Sequence, residues 1–332
     1  MRALFGVLVL IAVISATAAA AERCEIWIDL YSGEPVTYED MFEDLLGARV
    51  IYLGERHTLD RHHNLQEKII SDLAAQGVEV AVGLEMLPVD VQPVLDRYNS
   101  GEITFDEFAT EVGWEEIWDN YEDYRGAIEA CHLAGGPVLA LNPRRELAKE
   151  IARNGIEGLD PEWAEMVPEG VNTDQPDYER ELMRVMMVMA HATGQTDMMR
   201  RMFEAQVIKD EVMADAVARF MLSPEGENRT VVVLCGAGHI SFGYGIPSRV
   251  RSRVPEVVDR ILVFSESGDV VLSEREKAMA RMIEITHAQL RTNQVPFADY
   301  LHARALAPPA PEDEEGGGIA EEEDPDAGGA GD

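Results

Sequence analysis

Residues 50–57, VIYLGERH, are expected to form a buried strand with a polar end. The first four residues are an unbroken apolar run, and Glu55, Arg56 and His57 follow after a single glycine. Such a run lacks the alternation of a half-exposed strand and is typical of a parallel strand that helices cover on both faces. The segment therefore predicts an α/β fold, with polar side chains placed where a buried strand ends.

Three further apolar runs have the same character and predict parallel strands: residues 80–84, 138–141 and 231–234. A helical pattern follows each of them, as in a sheet whose parallel strands are joined by crossover helices. The helices are expected to begin near His62, Pro88 and Arg144, and a further helix and strand are expected near Pro247 and at residues 261–264. Pro88 and Pro247 suit a first helical turn, where the missing N–H is not needed. These patterns predict a mostly parallel sheet covered by helices.

The segment between residues 159 and 222 carries no strand signal and is expected to be a helical insertion or cap. Residues 178–220 hold eight of the chain's fifteen methionines. Methionine stripes usually form adaptable core, although they also suit contact with a flat apolar ligand.

Four aromatic residues recur at helical spacing ahead of the third strand. Trp114, Trp118, Tyr121 and Tyr124 lie at intervals of four, three and three residues. This spacing predicts one face of a helix, and such a face usually packs into the core.

Polar side chains follow each of the four apolar runs. Glu55 and His57 follow the first run, Glu85 the second, Arg145 the third and His239 the fourth. Because the carboxyl ends of parallel strands share one edge of the sheet, where ligands bind in open α/β folds, these side chains are expected to meet. Glu55 and His57 lie two residues apart and should point to the same side of an extended segment. The sequence therefore predicts a functional cleft at this edge.

Two carboxylates and two imidazoles in one cleft suit two kinds of chemistry. Glu55, His57, Glu85 and His239 form a ligand set for Zn, Mn or Fe, with Asp60, His62 and His63 as neighbouring or extra ligands. The same four side chains suit general acid–base hydrolysis, in which Arg145 stabilises developing negative charge or holds a carboxylate. Three of the four also have a structural alternative: Glu55 as a helix cap, Glu85 as an ion-pair partner of Arg145, and His239 as a core histidine.

The turn Gly236-Ala237-Gly238 does not indicate nucleotide binding, because Ser241 stands where the dinucleotide fingerprint requires a third glycine. The glycines are expected to let the backbone approach a ligand or to turn His239 into the cleft. Phe242 and Tyr244 follow on a flexible loop that suits either a flat apolar ligand or simple packing. No Gly-x-Ser-x-Gly turn precedes a helix, so a serine hydrolase is not supported.

The charge and the cysteine content exclude two classes of protein. The 332 residues include 62 acidic and 28 basic side chains, which give a net charge of -34. This sign argues against nucleic acid as a partner, because phosphates must be neutralised by cations. The three cysteines, Cys24, Cys131 and Cys235, are too few for a disulfide framework, so the fold must rest on its apolar core.

Both ends of the sequence are expected to lie outside a folded domain of residues 22–306. Residues 1–21 read as a cleaved signal peptide, since the apolar run after Arg2 is short for a membrane span and small residues follow it. Cys24 lacks the small apolar residues that precede a lipid-modified cysteine, which disfavours a lipid anchor and favours a periplasmic or secreted protein. Residues 307–332 hold ten carboxylates and predict a disordered acidic tail that provides solubility or recruits a partner.

Several ordered motifs within residues 40–265 resemble the ChaN-like haem-binding uptake family, which belongs with the Tiki metalloproteases and the erythromycin esterases in one superfamily. The matching motifs are LGERH at 53–57 with His62 and His63, GLEM at 83–86, residues 118–124 leading into ALNPRR at 140–145, QVIKDE at 206–211, and GAGH at 236–239 with GIP at 245–247.

The resemblance implies an exported bacterial protein that binds haem at the carboxyl edge of the sheet and serves haem or iron uptake. It further implies a haem receptor or transporter as a partner, and a homodimer that holds cofacial haems. Tyr124 and Tyr244 lie closest to the matched motifs and are candidate iron ligands, His62 and His63 are further haem-binding candidates, and Arg145 is a candidate clamp for a propionate. By similarity to the enzymatic branches, the alternative function is a metal-dependent peptide or ester hydrolase that uses Glu55, His57, Glu85 and His239.

Overall fold

One eight-stranded sheet organises the computed structural model, which describes residues 25–190, 196–267 and 295–305. Its strands are β1 (Glu25–Asp29), β2 (Glu34–Val36), β3 (Val50–Glu55), β4 (Val80–Pro88), β5 (Val138–Asn142), β6 (Thr230–Gly236), β7 (Asp259–Ser267) and β8 (Tyr300–Ala305). Across the sheet their order is β2-β1-β8-β7-β3-β6-β4-β5. The strands from β8 to β5 run parallel, whereas β1 and β2 are antiparallel additions at one edge.

The four predicted apolar strands are β3, β4, β5 and β6, and the run at residues 261–264 lies in β7. β3 is flanked by β6 and β7, and each of its residues is buried. Burial on both faces explains why its sequence does not alternate. The predicted α/β fold with a mostly parallel sheet is confirmed.

Helices cover both faces of the sheet. In chain order the described α-helices are α1 (Tyr38–Leu45), α2 (Asp60–Ala75), α3 (Gln92–Asn99), α4 (Phe105–Val112), α5 (Trp114–Ile117), α6 (Arg125–Leu133), α7 (Arg145–Asn154), α8 (Pro161–Ala164), α9 (Pro176–Ala190), α10 (Thr196–Met221) and α11 (Ile246–Arg253). The crossover helices expected near His62, Pro88 and Arg144 are α2, α3 and α7, and the helix expected near Pro247 is α11. The insertion predicted at residues 159–222 contains α8, α9 and α10, and the described residues of this segment include no strand.

The core forms two layers, one on each face of the sheet. Ile51 and Leu53 of β3 pack into the first layer, whereas Val50 and Tyr52 pack into the second. This split follows from the strand itself, in which successive side chains point to opposite faces. Two acidic residues at strand ends can therefore share one edge of the sheet and still face different helices.

The prediction that Pro88 opens a helix is wrong. Pro88 is extended, with φ −74° and ψ 143°, and it closes β4. The strand continues beyond residue 84 because β5 still pairs with it after a register shift between Leu84 and Pro88. Glu85 consequently lies inside β4 and does not follow it.

The prediction that four aromatic residues share one helical face is also wrong. Trp118 is extended, with φ −147° and ψ 105°, and it separates α5 from a 3₁₀ turn at Tyr121–Tyr124. The helix is interrupted where the Asn120 side chain donates to the backbone carbonyl of His57 over 2.5 Å. That bond ties this segment to the end of β3.

The predicted signal peptide, Cys24 and the acidic tail lie outside the described residues. Within the described ranges, no helix combines the length and the apolar character needed to cross a bilayer.

Candidate functional site

Strand register places two acidic residues on either side of β6. Glu55 of β3 pairs with Gly236, and Leu84 of β4 pairs with Leu234, so Glu55 and Glu85 flank the end of β6. Both side chains are buried, with only 3% and 2% of the residue exposed. Buried carboxylates need hydrogen-bond donors, and each of these has its own set.

Glu55 is the acceptor of a dense hydrogen-bond network. Its Oε1 accepts from His57 Nδ1 at 2.7 Å and from the Tyr124 hydroxyl at 2.5 Å. Its Oε2 accepts from Gln66 Nε2 at 2.5 Å and lies 3.3 Å from His63 Nδ1. Burial alone would raise the pKa of Glu55, but the hydrogen bonds from His57 and His63 outweigh it and lower that pKa to about 2. Glu55 is therefore an ionised, fully occupied acceptor.

His57 is oriented by this carboxylate. Because Glu55 can only accept, Nδ1 of His57 donates to it, and Nε2 is the ring nitrogen left for other partners. Nε2 lies 4.0 Å from Glu85 Oε2, and 29% of the His57 side chain is exposed. The ring also meets Trp118 edge to face, with centroids 4.9 Å apart. Burial acts to lower the pKa of His57, but Glu55 and Glu85 together raise it above its usual value.

Glu85 has a second, separate set of donors. Its Oε1 lies 3.0 Å from His239 Nε2 and accepts from Lys209 Nζ at 3.2 Å. Its Oε2 accepts from the backbone N–H of Gly236 at 2.8 Å. Burial acts to raise the pKa of Glu85, but the positive charges of His239 and Lys209 hold that pKa well below its usual range.

His239 lies between Glu85 and a further carboxylate, Asp210. His239 Nδ1 is 2.6 Å from Asp210 Oδ1, and the hydroxyl of Tyr178 donates to Asp210 Oδ2 at 2.6 Å. Asp210 has no exposed surface. Burial disfavours the charged ring, but Glu85 and Asp210 raise the pKa of His239 to about 9 against the opposing charge of Lys209.

Lys209 and Asp210 are site residues that the sequence reasoning missed. Both lie in the QVIKDE motif, and Gln206, Lys209 and Asp210 stand at i, i+3 and i+4 on α10, which places them on one helix face. The sequence did contain a signal for these site residues, because three polar residues at helical spacing lie among apolar ones.

The predicted four-residue metal set meets at this edge of the sheet, since Glu85 Oε2 lies 4.0 Å from His57 Nε2 and Glu85 Oε1 lies 3.0 Å from His239 Nε2. Glu55 and Glu85 nevertheless have separate hydrogen-bond partners. The partners of Glu55 come from α2 and the Tyr121–Tyr124 turn, whereas those of Glu85 come from α10 and the turn after β6. Each carboxylate oxygen of Glu55 and Glu85 already accepts a hydrogen bond. Across residues 25–190, 196–267 and 295–305, no three His, Cys, Asp or Glu side chains are arranged to hold a metal ion.

A cleft of about 1000 Å³ opens at this edge of the sheet. His57, Glu85 and Lys209 lie on its wall, and Ile117 and Trp118 contribute apolar surface. Its volume is at the upper end of the range typical of small-molecule sites.

Both cations and acidic side chains line the same cleft, the acidic ones including Glu116 and Asp119. Arg144, Arg145 and Lys149 come from the start of α7, and Arg144 pairs with Asp90 over 2.8 Å. Arg145 and Lys149 are exposed. The chain has four lysines, and two of them, Lys149 and Lys209, line this cleft.

The remaining predicted residues occupy other positions. Tyr124 and His63 are buried behind Glu55, and His62 Nδ1 accepts from the backbone N–H of Arg56 at 3.0 Å while its ring meets Phe264. Tyr244 lines a separate cavity of about 680 Å³, together with Tyr178. Asp60 is the first residue of α2.

Two of the structural alternatives are not observed. Glu55 does not cap α2, because the N-cap position is Leu59, which makes no side-chain cap bond. Glu85 pairs with Lys209 and His239, and no described contact joins it to Arg145.

Comparison with known proteins places this geometry in a family. Residues 41–250 match the family described as haem-binding uptake, Tiki superfamily, ChaN. No curated protein matches the chain. Among solved structures, ChaN of Campylobacter jejuni, described for its cofacial haem binding, is 21% identical with a TM-score of 0.62, over 84% of this chain and 96% of that one.

Two further solved structures are more distant. An erythromycin esterase mutant, EreC in its open conformation, is 13% identical with a TM-score of 0.42, over 72% of this chain and 77% of that one. A Bacillus cereus protein is 12% identical with a TM-score of 0.43, over 81% of this chain and 92% of that one. Because the family match spans more than half of the sequence, the chain belongs to the haem-binding uptake family of the Tiki superfamily that includes ChaN.

Proposed function

We propose that this protein binds haem in the cleft at the carboxyl edge of the sheet and serves haem or iron uptake. The family assignment supports haem as the ligand. The position proposed for haem rests on the His57 imidazole. Its Nδ1 is held by the Glu55 carboxylate, and the ring lies on the wall of a cleft of about 1000 Å³.

His57 is the iron ligand in this proposal. A ligating histidine in proteins generally donates its other ring N–H to a carboxylate or carbonyl, which fixes the tautomer and strengthens the donor nitrogen. Glu55 makes this contact at 2.7 Å, so Nε2 is the nitrogen that would bind iron. The raised pKa of His57 means that iron must displace a proton from Nε2, so haem affinity should increase as the pH rises through that raised pKa.

The candidate tyrosines are less suited to this role. The Tyr124 hydroxyl donates to Glu55, and burial together with the charge of Glu55 raises the pKa of Tyr124, which opposes formation of a phenolate. Tyr244 lines the separate cavity beside Tyr178.

The walls of the cleft suit the two ends of a porphyrin. Ile117, Trp118 and Met86 provide apolar contact for the flat ring. Arg145 and Lys149 are exposed one helical turn apart on α7, where they would pair with propionate carboxylates.

Export, a receptor and dimerisation complete the proposal. The signal-peptide pattern supports a periplasmic or secreted location, which mass analysis of the mature N-terminus would test.

The cofacial haem binding described for ChaN of Campylobacter jejuni suggests that two copies of this chain hold two haems face to face. Sedimentation of the protein with and without hemin tests this, and co-purification from outer membranes tests for a haem receptor or transporter.

The central test is a hemin titration of the mature chain followed by the Soret band. The proposal predicts saturable binding at about one haem per chain. A weak, nonsaturable increase in absorbance would contradict haem binding as the function.

A second candidate function is hydrolysis of a peptide or ester. The supporting observation is the Glu55–His57 pair, in which a carboxylate orients an imidazole that lines a cleft and lies 4.0 Å from Glu85. In this function His57 Nε2 takes a proton from water, and Arg145 or Lys209 stabilises the negative charge that develops on the substrate.

Screening peptide and ester libraries with and without a chelator tests this second function. Activity that survives the chelator and is lost in both Glu55→Gln and His57→Ala would support it. No turnover of any library member, by a protein that binds hemin saturably, would remove it.

A further inference from the structure

A second cavity, of about 680 Å³, is lined by three segments of the chain: residues 169–178 before and at the start of α9, Glu211 of α10, and residues 244–253 around α11. Among the described residues, it shares no lining side chain with the cleft at the sheet edge. Its volume is typical of small-molecule sites. The haem proposal gives this cavity no role.

Arg249 is a buried cation on the wall of the second cavity, and its hydrogen bonds are incomplete. Only 3% of the residue is exposed. Its Nε donates to Glu211 Oε1 at 2.9 Å, and its Nη1 donates to the carbonyls of Tyr244 and Gly245 at 2.8 and 3.0 Å. Its Nη2 has no acceptor among the described residues, although the guanidinium carbon lies 5.7 Å from the centre of the Tyr178 ring. A buried N–H without an acceptor is unfavourable, so an acceptor on a ligand would be stabilising here.

The same wall carries more positive than negative charge. Glu211 is shared by two arginines, since its Oε1 accepts from Arg249 and its Oε2 accepts from Arg253 Nη2 at 2.6 Å. The next carboxylate, Asp215, lies 3.8 Å from Arg253 Nε and also pairs with Arg219. One carboxylate therefore faces two guanidinium groups, which leaves a surplus of one positive charge. A ligand with a single negative charge matches this surplus better than a dianion does.

The other polar groups of the second cavity also favour a ligand that accepts hydrogen bonds. In the described part of the chain, the Tyr244 hydroxyl has no hydrogen-bond partner, and a tyrosine hydroxyl can donate. The nearby carbonyls are already occupied, because Ser248 donates to the Tyr244 carbonyl at 2.6 Å and Ser252 donates to the Arg249 carbonyl at 2.7 Å. The unused groups are thus donors.

Two carboxylates on the wall of the second cavity oppose an anion only weakly. Asp177 pairs with Arg180 over 2.7 Å, which offsets its charge. Asp177 and Glu169 are both exposed, so solvent and salt screen them, whereas Arg249 is buried and screened much less.

We propose that the second cavity is a binding site for a small carboxylic acid with a flat body, whose carboxylate accepts from Arg249 and Tyr244. The rings of Tyr178 and Tyr244 lie 6.3 Å apart, inclined at 48°, and both line the cavity, where they provide apolar surface for the body of the ligand. The site is separate from the haem cleft, and the proposal does not rest on haem binding.

Titration of the ¹⁵N-labelled protein with benzoate, followed by its backbone amide signals, tests the proposal. Benzamide has the same ring but no charge, and inorganic phosphate supplies an oxyanion without a flat body. We expect saturable shifts at Tyr244 and Ser248 with benzoate, and affinities at least tenfold lower for benzamide and for phosphate. Equal affinity for benzoate and either competitor, shifts confined to the cleft at the sheet edge, or no saturable binding would overturn the proposal.

Three variants locate the binding of benzoate. Arg249→Gln removes the charge and should lower the affinity at least tenfold. Because Arg249 also holds Glu211, Tyr244→Phe is a milder second variant that removes one hydroxyl, and it should lower the affinity about fivefold. Arg145→Gln, which removes an exposed cation from the cleft at the sheet edge, is the control and should bind benzoate as the wild type does. Wild-type affinity in Tyr244→Phe, or lost affinity in Arg145→Gln, would overturn the proposal.

Discussion

Gly236 and His57 approach so closely that a Cβ atom on Gly236 would lie 2.9 Å from His57 Nε2. Gly236 has φ −60° and ψ 139°, which any residue adopts, so the glycine is required by the neighbouring ring and not by the backbone. The end of β6 thus leaves room for the imidazole that faces the cleft.

A methyl group at this position should displace the imidazole. We expect Gly236→Ala to lower hemin affinity about tenfold or more, because a small displacement of an oriented ligand has a large effect. Gly238→Ala is the matched control, since a Cβ atom there would meet no atom within 4 Å. Hemin titrations of the two variants give the comparison, and equal affinities would show that His57 does not bind the iron.

Glu55→Gln should weaken hemin binding by about tenfold, because the neutral amide no longer fixes the His57 ring as strongly. The change should also destabilise the fold, since His63 and Tyr124 lose a charged acceptor. Glu79→Gln, at an exposed position before β4, is the control. Wild-type affinity in Glu55→Gln would argue against His57 as the ligand.

Stability should decrease on both sides of mildly acidic pH. An unfolded carboxyl binds a proton near pH 4.5, whereas Glu55 in the fold stays ionised to about pH 2, so stability is lost as the pH falls through this window. An unfolded imidazole loses its proton near pH 6.5, whereas His239 in the fold keeps it to about pH 9, so stability is lost as the pH rises through that window. Each shift corresponds to about 3 kcal/mol at most.

Urea unfolding at pH 3, 6 and 9 measures this dependence. The midpoint should be highest near pH 6, and Asp210→Asn should flatten the alkaline side while leaving the acidic side in place. A midpoint in the wild type that does not change from pH 6 to pH 9 would contradict the raised pKa of His239.

Two side-chain amides cover the exposed edge of the sheet. Asn99 accepts from the Val138 N–H and donates to its carbonyl, both at 2.9 Å, and Gln92 accepts from the Ala140 N–H at 2.7 Å. The double variant Gln92→Ala/Asn99→Ala should lower stability by about 2 kcal/mol and promote association through β5.

Sedimentation velocity and urea unfolding check this expectation. Ser100→Ala is the control, because its hydroxyl bonds to a carbonyl of its own helix. A double variant that stays monomeric and as stable as the control would show that the amides do not protect the edge.

The sequence predicts the strands of this fold well because their signals are local. Residues 50–53 and 231–234 are apolar without alternation, and this pattern reports burial on both faces. The meeting of Glu55, His57, Glu85 and His239 at one edge follows from parallel strands alone. The apolar pattern does not predict on which face of the sheet each polar side chain lies, because this depends on where β4 ends and on how it pairs with β5.

The sequence also does not predict hydrogen-bond partners that are far apart along the chain. Asp210 reaches His239 across 29 positions in the sequence, and Tyr124 reaches Glu55 across 69. A single acidic residue on a helix looks like a solvated surface residue until the neighbouring strand is placed. The hydrogen bond from the Tyr124 hydroxyl to Glu55 likewise emerges only once Glu55 is placed beside it.

The most direct test of the account is a hemin titration of His57→Ala beside Tyr124→Phe and Tyr244→Phe, with the Soret band and electron paramagnetic resonance of each complex. The account predicts that His57→Ala loses the saturable band, whereas both tyrosine variants keep it with the wild-type spectrum. A band that persists unchanged in His57→Ala, or that disappears in Tyr244→Phe, would contradict the placement of haem iron on His57.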